Sequence, residues 1–168
     1  MSLQHPDRFG WAIARTEWLF IVVQTIARDR GAVLTRMSFA FVFVTFGLQK
    51  VIVPGSSPVD EPIMALASAV GLGAIVPLAW TPTIVGLYEV TLGVWFLVNR
   101  LKAALVLFVP HQLVSFSTIL LIPSFVFDDP MPFAYDQFGA FMLKNIIFVG
   151  AFLLLLAHAG DFDDGTAT

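Results

Sequence analysis

The sequence predicts an all-α membrane protein, a four-transmembrane-helix bundle, and three observations carry that expectation. Of its 168 residues, 58% are hydrophobic and 12% are charged, whereas soluble domains carry about a quarter charged residues. The mean hydropathy is +0.85. Several apolar runs reach the ~20 residues a helix needs to cross a hydrocarbon core.

The four spans are expected at about 32–53, 83–99, 102–122 and 137–158. Pro54, Pro82, Pro123 and the Asp128-Asp129-Pro130 run punctuate their ends, because proline cannot donate to a helical ladder. The connection Asn99-Arg100-Leu101-Lys102 is short, so the second and third spans are expected as antiparallel neighbours. Arg8, Arg15, Arg28, Arg30 and Arg36 precede the first span, and Arg100 and Lys102 sit in the middle loop. The other side carries Asp60, Glu61, Asp128, Asp129 and Asp136. Basic loops stay cytoplasmic, so both termini are expected there.

Three segments flank or interrupt the spans. Residues 1–31 read as a cytoplasmic interfacial segment. Within it Trp11, Trp18, Leu19, Val22, Val23 and Ile26 fall toward one side of a helix, and Glu17, Gln24 and Arg28 toward the other. That pattern suits an amphipathic helix lying in the interface. The rival reading is a signal peptide with 18–27 as its apolar core, which Glu17 disfavours. Residues 32–158 read as the transmembrane domain, and 159–168 as an acidic cytoplasmic tail. Between the first two spans, the Gly- and Ala-rich 62–79 contains Pro77. Reading it as a further span would turn Arg100 and Lys102 outward, so a re-entrant or capping segment of the outer leaflet is expected.

Composition excludes several chemistries. With no Cys, the chain offers no dithiol relay, thiolate metal site or iron–sulfur ligation. Three His, far apart in sequence, argue against a metal cage, and no flavin or nicotinamide fingerprint is present. Paired haem ligands are disfavoured because His111 falls mid-membrane and His158 at the cytoplasmic end. A net charge of −3 without a basic stripe does not suit nucleic acid.

The informative residues are the ionisable ones inside the spans. Lys144 lies about seven residues from the outer end of the fourth span, and Glu89 about seven from that of the second, roughly 10 Å inward in each case. Lys50 sits nearer the outer end of the first span, where it could instead snorkel to the interface. A lone charge at the bilayer centre costs about 2.5–3.5 kcal/mol or more, so Glu89 is expected to pair with Lys144, with Lys50 as a further partner. Gly86, Gly93 and Gly47 place small residues beside these charges and predict close helix approach. On the third span His111, Ser115 and Thr118 form a polar stripe bordered by Gln112, and Pro110 should free an acceptor at Val106. The expected polar core is Lys50, Glu89, His111, Lys144 and Asn145. The plainer readings stand beside it: a structural ion pair, an interior histidine, and phenylalanines that pack or face lipid.

The order of these residues resembles the DoxX family of small four-helix membrane proteins. The segments are RMSFAFVFVTFGLQKVIVP in the first span, GLYEVTLGVWFLVNR in the second and FMLKNIIFVGAFLLLL in the fourth. His111-Gln112 stands where related sequences carry a His or another polar residue. The resemblance implies a multi-pass protein of a prokaryotic cytoplasmic membrane and an oxidoreductase subunit linked to a quinone. Glu89, His111 and Lys144 would then be catalytic, and Lys50, His111, Gln112, Lys144 and Asn145 would hold the quinone. Electrons would come from a partner redox subunit or a soluble donor. Two other readings stay open: a scaffold subunit of a larger membrane complex among lipids, and a binder of small anions or lipid headgroups.

Overall fold

The computed structural model describes residues 10–127 and 135–158, with side chains from Thr16 onward. Its elements are α1 (Gly10–Ile52), α2 (Asp60–Ala69), α3 (Thr81–Leu97), α4 (Leu101–Leu121) and α5 (Gln137–Ala157), with short 3-10 turns at Leu72–Ala74, Leu78–Trp80 and Pro123–Phe125. Among the described residues the only strand-like pairing is an isolated antiparallel bridge between Phe127 and Tyr135. Among the described residues, three helices are long and apolar enough to cross a membrane: α1 over Thr16–Ile52, α4 and α5. With 17 residues, α3 is shorter.

The chain divides into two units, Met1–Leu34 and Thr35–Thr168. In the first, the described residues belong to α1, and Trp18, Leu19, Phe20, Ile21, Val23 and Ile26 are all exposed. No break separates an interfacial helix from the first span: α1 is continuous. The sequence expectation assigned these residues to an interfacial segment and a span; here one helix runs through both. No proline lies between residues 10 and 52, and a single Gly31 costs a helix only about 1 kcal/mol. The 1–9, 128–134 and 159–168 segments, including Asp128, Asp129 and the acidic tail, lie outside the described residues.

In the second unit the turn from α3 to α4 follows from Asn99. Its φ of 60° is left-handed, which Asn tolerates better than most residues. There the Arg100 amide donates to Trp95 and the Asn99 amide to Phe96, so the last carbonyls of α3 are satisfied as in a Schellman end. Asp136 caps α5 by accepting from the Gln137 amide at 2.6 Å. Thr91, Ser117 and Thr118 donate their hydroxyls to carbonyls three or four residues back, which keeps them satisfied on apolar helices.

The 62–79 segment is more regular than its composition suggests. It supplies most of a ten-residue helix, α2, which packs against α3 and α4 with Pro62, Leu66 and Ala67 buried. Asp60 holds the loop before it, accepting through Oδ2 from the amides of Gly55 and Ser57. Val59, next to it, packs with Val126, Phe138 and Met142. The middle of the unit is closed by phenylalanine. Phe39 of α1 stacks on Phe96 of α3 at 4.8 Å, and Phe108 of α4 meets Phe152 of α5 at 4.4 Å.

Candidate functional site

Glycines place the site. A β-carbon on Gly47 would fall 2.6 Å from the Gly86 carbonyl oxygen, and one on Gly86 would fall 2.7 Å from that of Gly47. One on Gly93 would lie 3.0 Å from the Ala40 carbonyl oxygen. Backbones of α1 and α3 therefore touch, as small residues in a helix interface allow. Lys50 and Glu89 each follow their contact glycine by three residues, and they meet across this seam. Lys50 Nζ donates to Glu89 Oε2 at 2.6 Å and to the Phe46 carbonyl at 3.3 Å. Lys50 is 2% exposed, so it does not snorkel to an interface.

The other carboxylate oxygen, Glu89 Oε1, lies 3.4 Å from His111 Nε2 on α4. Three helices thus contribute one member each to a Lys50–Glu89–His111 chain. The His111 ring stands edge-on to Phe43 at 5.3 Å and is stacked by Tyr88 at 6.3 Å. Its Nδ1 is buried, with no hydrogen-bond partner among the described residues. Pro110 shapes this part of α4, since it lacks an amide hydrogen. Next to it, the Tyr88 hydroxyl donates to the Leu107 carbonyl at 2.5 Å. Sequence reasoning passed over Tyr88, although it precedes Glu89 directly; its half-buried phenol finds a partner in that carbonyl.

Lys144 is placed differently from expectation. Its ammonium forms no ion pair with Glu89; it sits over the Phe141 ring at 2.8 Å and the Phe46 ring at 4.7 Å from their centroids. The carboxylate is taken by Lys50, which the α1–α3 contact holds against it. Such cation–π contacts are worth about 0.5–2 kcal/mol, less than the roughly 2.5–3.5 kcal/mol for a charge at the bilayer centre. Asn145, beside it, is buried, and its amide makes a long contact of 4.0 Å to Met142 Sδ. Gln112 departs further from the expectation. It is buried off the cavity that holds Lys50, Glu89, His111, Lys144 and Asn145, and neither its amide nitrogen nor its oxygen has a partner among the described residues. One residue along a helix turns a side chain by about 100°, so Gln112 cannot share the face of His111.

Lys50, Glu89, His111, Lys144 and Asn145 all line one cavity of about 450 Å³, together with Ser115 and Thr118. Its walls are mainly apolar, and α2 contributes Pro62, Ile63 and Leu66, which sequence spacing did not connect to the site. The size falls in the range that small ligands occupy, as does the mix of apolar walls with a few convergent polar groups. These residues fit a quinone: aromatic walls for its ring, ammonium and amide donors for its oxygens, and the unpartnered His111 Nδ1. Glu89 and His111 sit within reach of each other for passing a proton, in a geometry looser than an ideal hydrogen bond. Among the described residues no three His, Asp or Glu converge as a metal cage would need. No protein-family model, curated protein or solved structure matches the chain.

Proposed function

We propose that this chain is a DoxX-like subunit of quinone-linked redox chemistry in a prokaryotic cytoplasmic membrane, and that its cavity holds the quinone. The single observation that carries the reading is the Lys50–Glu89–His111 chain on the wall of a mainly apolar cavity. Such a wall is expensive to bury unless it is used or fully paired. A bound quinone would supply a two-electron acceptor. Lys144 and Asn145 would orient its oxygens, Glu89 and His111 would hold or release a proton beside them, and Lys50 would hold the Glu89 side chain in position. Electrons would come from a partner subunit or a soluble donor. In this reading α3 is a fourth span, since 17 residues sit at the lower end of what crosses a bilayer. Both termini then lie in the cytoplasm, and α2 caps the outer end.

The test is binding of a short-chain benzoquinone to purified full-length protein in nanodiscs, read by quenching of intrinsic tryptophan and by calorimetry. Saturable binding to wild type, lost in His111→Ala, is expected. Wild-type protein that binds no quinone would sink the reading. A second reading, a scaffold subunit, is favoured by the exposed Trp18, Phe20 and Ile21 of α1, an apolar surface suited to lipid or a partner helix. Co-purification of a stable partner together with absence of quinone binding would select it.

A further inference from the structure

We propose that the cavity is built for a ring-shaped ligand bearing one ionised oxygen, with that oxyanion held by Lys144 and Asn145. This rests on the quinone reading and narrows it to a class of ligand. Charge balance is the first argument. The ammonium of Lys50 and the carboxylate of Glu89 cancel at 2.6 Å. Lys144 is then a second ammonium on the same cavity, with no carboxylate partner among the described residues. Both ammoniums lie near the Phe46 ring, at 5.9 and 4.7 Å from its centroid, so the unmatched charge borders the matched pair. A neutral ligand would leave Lys144, half-buried on apolar walls, with only its phenylalanine contacts, and a charge so weakly matched is costly there. An anion would complete it.

Shape is the second argument. Phe43, Phe46, Tyr88, Phe141 and Phe148 all line the cavity. Aromatic walls favour a flat ring, which stacks or sits edge-on against them. Asn145 adds a donor next to Lys144, and the hydrogen-bond contact of its amide among the described residues, at 4.0 Å to a sulfur, is weak enough to be exchanged for an oxyanion. The oxyanion would receive a charge-assisted bond from Lys144, the stronger kind of hydrogen bond.

Matched probes test this. The affinity of full-length protein in nanodiscs is measured for 1,4-naphthoquinone, for its 2-hydroxy derivative at a pH where the hydroxyl is ionised, and for decanoate. The hydroxylated probe is expected to bind about 10- to 100-fold more tightly than the neutral one, the scale of one charge-assisted hydrogen bond. Lys144→Met should erase that preference, and Lys144→Arg should retain it, which separates lost charge from lost folding. Equal affinity for the two quinones would overturn the proposal and leave the quinone reading standing. Decanoate binding with neither quinone bound would overturn the ring assignment and the quinone reading together. If preference survives in Lys144→Met, the oxyanion subsite is not at Lys144.

Discussion

At the scale of single residues, the pairing of charges is the main result. Depth along a helix is readable from sequence, because each residue adds 1.5 Å, and that count put Lys50, Glu89 and Lys144 together in the expected polar core. Which lysine takes the carboxylate was not readable. Lys50 does so because Gly86 lets α1 come within van der Waals reach: a β-carbon there would lie 2.8 Å from Lys50 Cβ. A clue was available in the matching Gly-x-x-Lys and Gly-x-x-Glu spacings, Gly47 to Lys50 and Gly86 to Glu89. Removing one member of a buried pair strands the other charge, at a cost of about 3–5 kcal/mol. Lys50→Met and Glu89→Gln should therefore each lower the thermal midpoint of the detergent-solubilised protein sharply. The double variant should recover most of the loss. Additive losses in the double variant would mean that the two residues do not act as a pair.

At the scale of elements, glycines divide into those that serve contact and those that do not. Gly86 faces backbone and has no room for a side chain, whereas a β-carbon at Gly31 would meet nothing within 4 Å. Gly86→Val is expected to force α1 and α3 apart, at ~1–3 kcal/mol or more for overpacking. Gly31→Ala should stabilise α1 by up to about 1 kcal/mol through helix propensity. Opposite shifts in unfolding midpoint, measured side by side, would check both; equal shifts would remove the distinction. The ends of α3 and α4 were legible because their signals are local: Pro82, the short Asn99–Lys102 connection and Pro123. The start of α1 was not, because an amphipathic pattern reports which faces are apolar and not whether the chain bends between two patterns. The order hidden in 62–79 was missed for a related reason. Gly and Ala weaken the local helix signal, and α2 is held instead by burial of Pro62, Leu66 and Ala67 against neighbouring helices.

At the scale of the whole molecule, arrangement across a membrane can be tested directly because the chain has no Cys. Single cysteines at Glu61 and at Lys102 report on the two ends of α3. Glu61→Cys is expected to react with an impermeant maleimide on intact cells, and Lys102→Cys only after permeabilisation. Labelling of both from one side would remove α3 as a span, and the reverse pattern would invert the orientation. The sequence by itself determined the solvent this chain is made for, the positions of most helices, and the presence of charges too costly to leave unpaired. Those properties depend on composition and on periodicity within one segment. Only the tertiary structure decided that Lys50 meets Glu89, that Lys144 rests on phenylalanine rings, and that Gln112 turns away from the cavity. These outcomes depend on the rotation of one helix against another, which the glycine contacts set and which no single segment encodes.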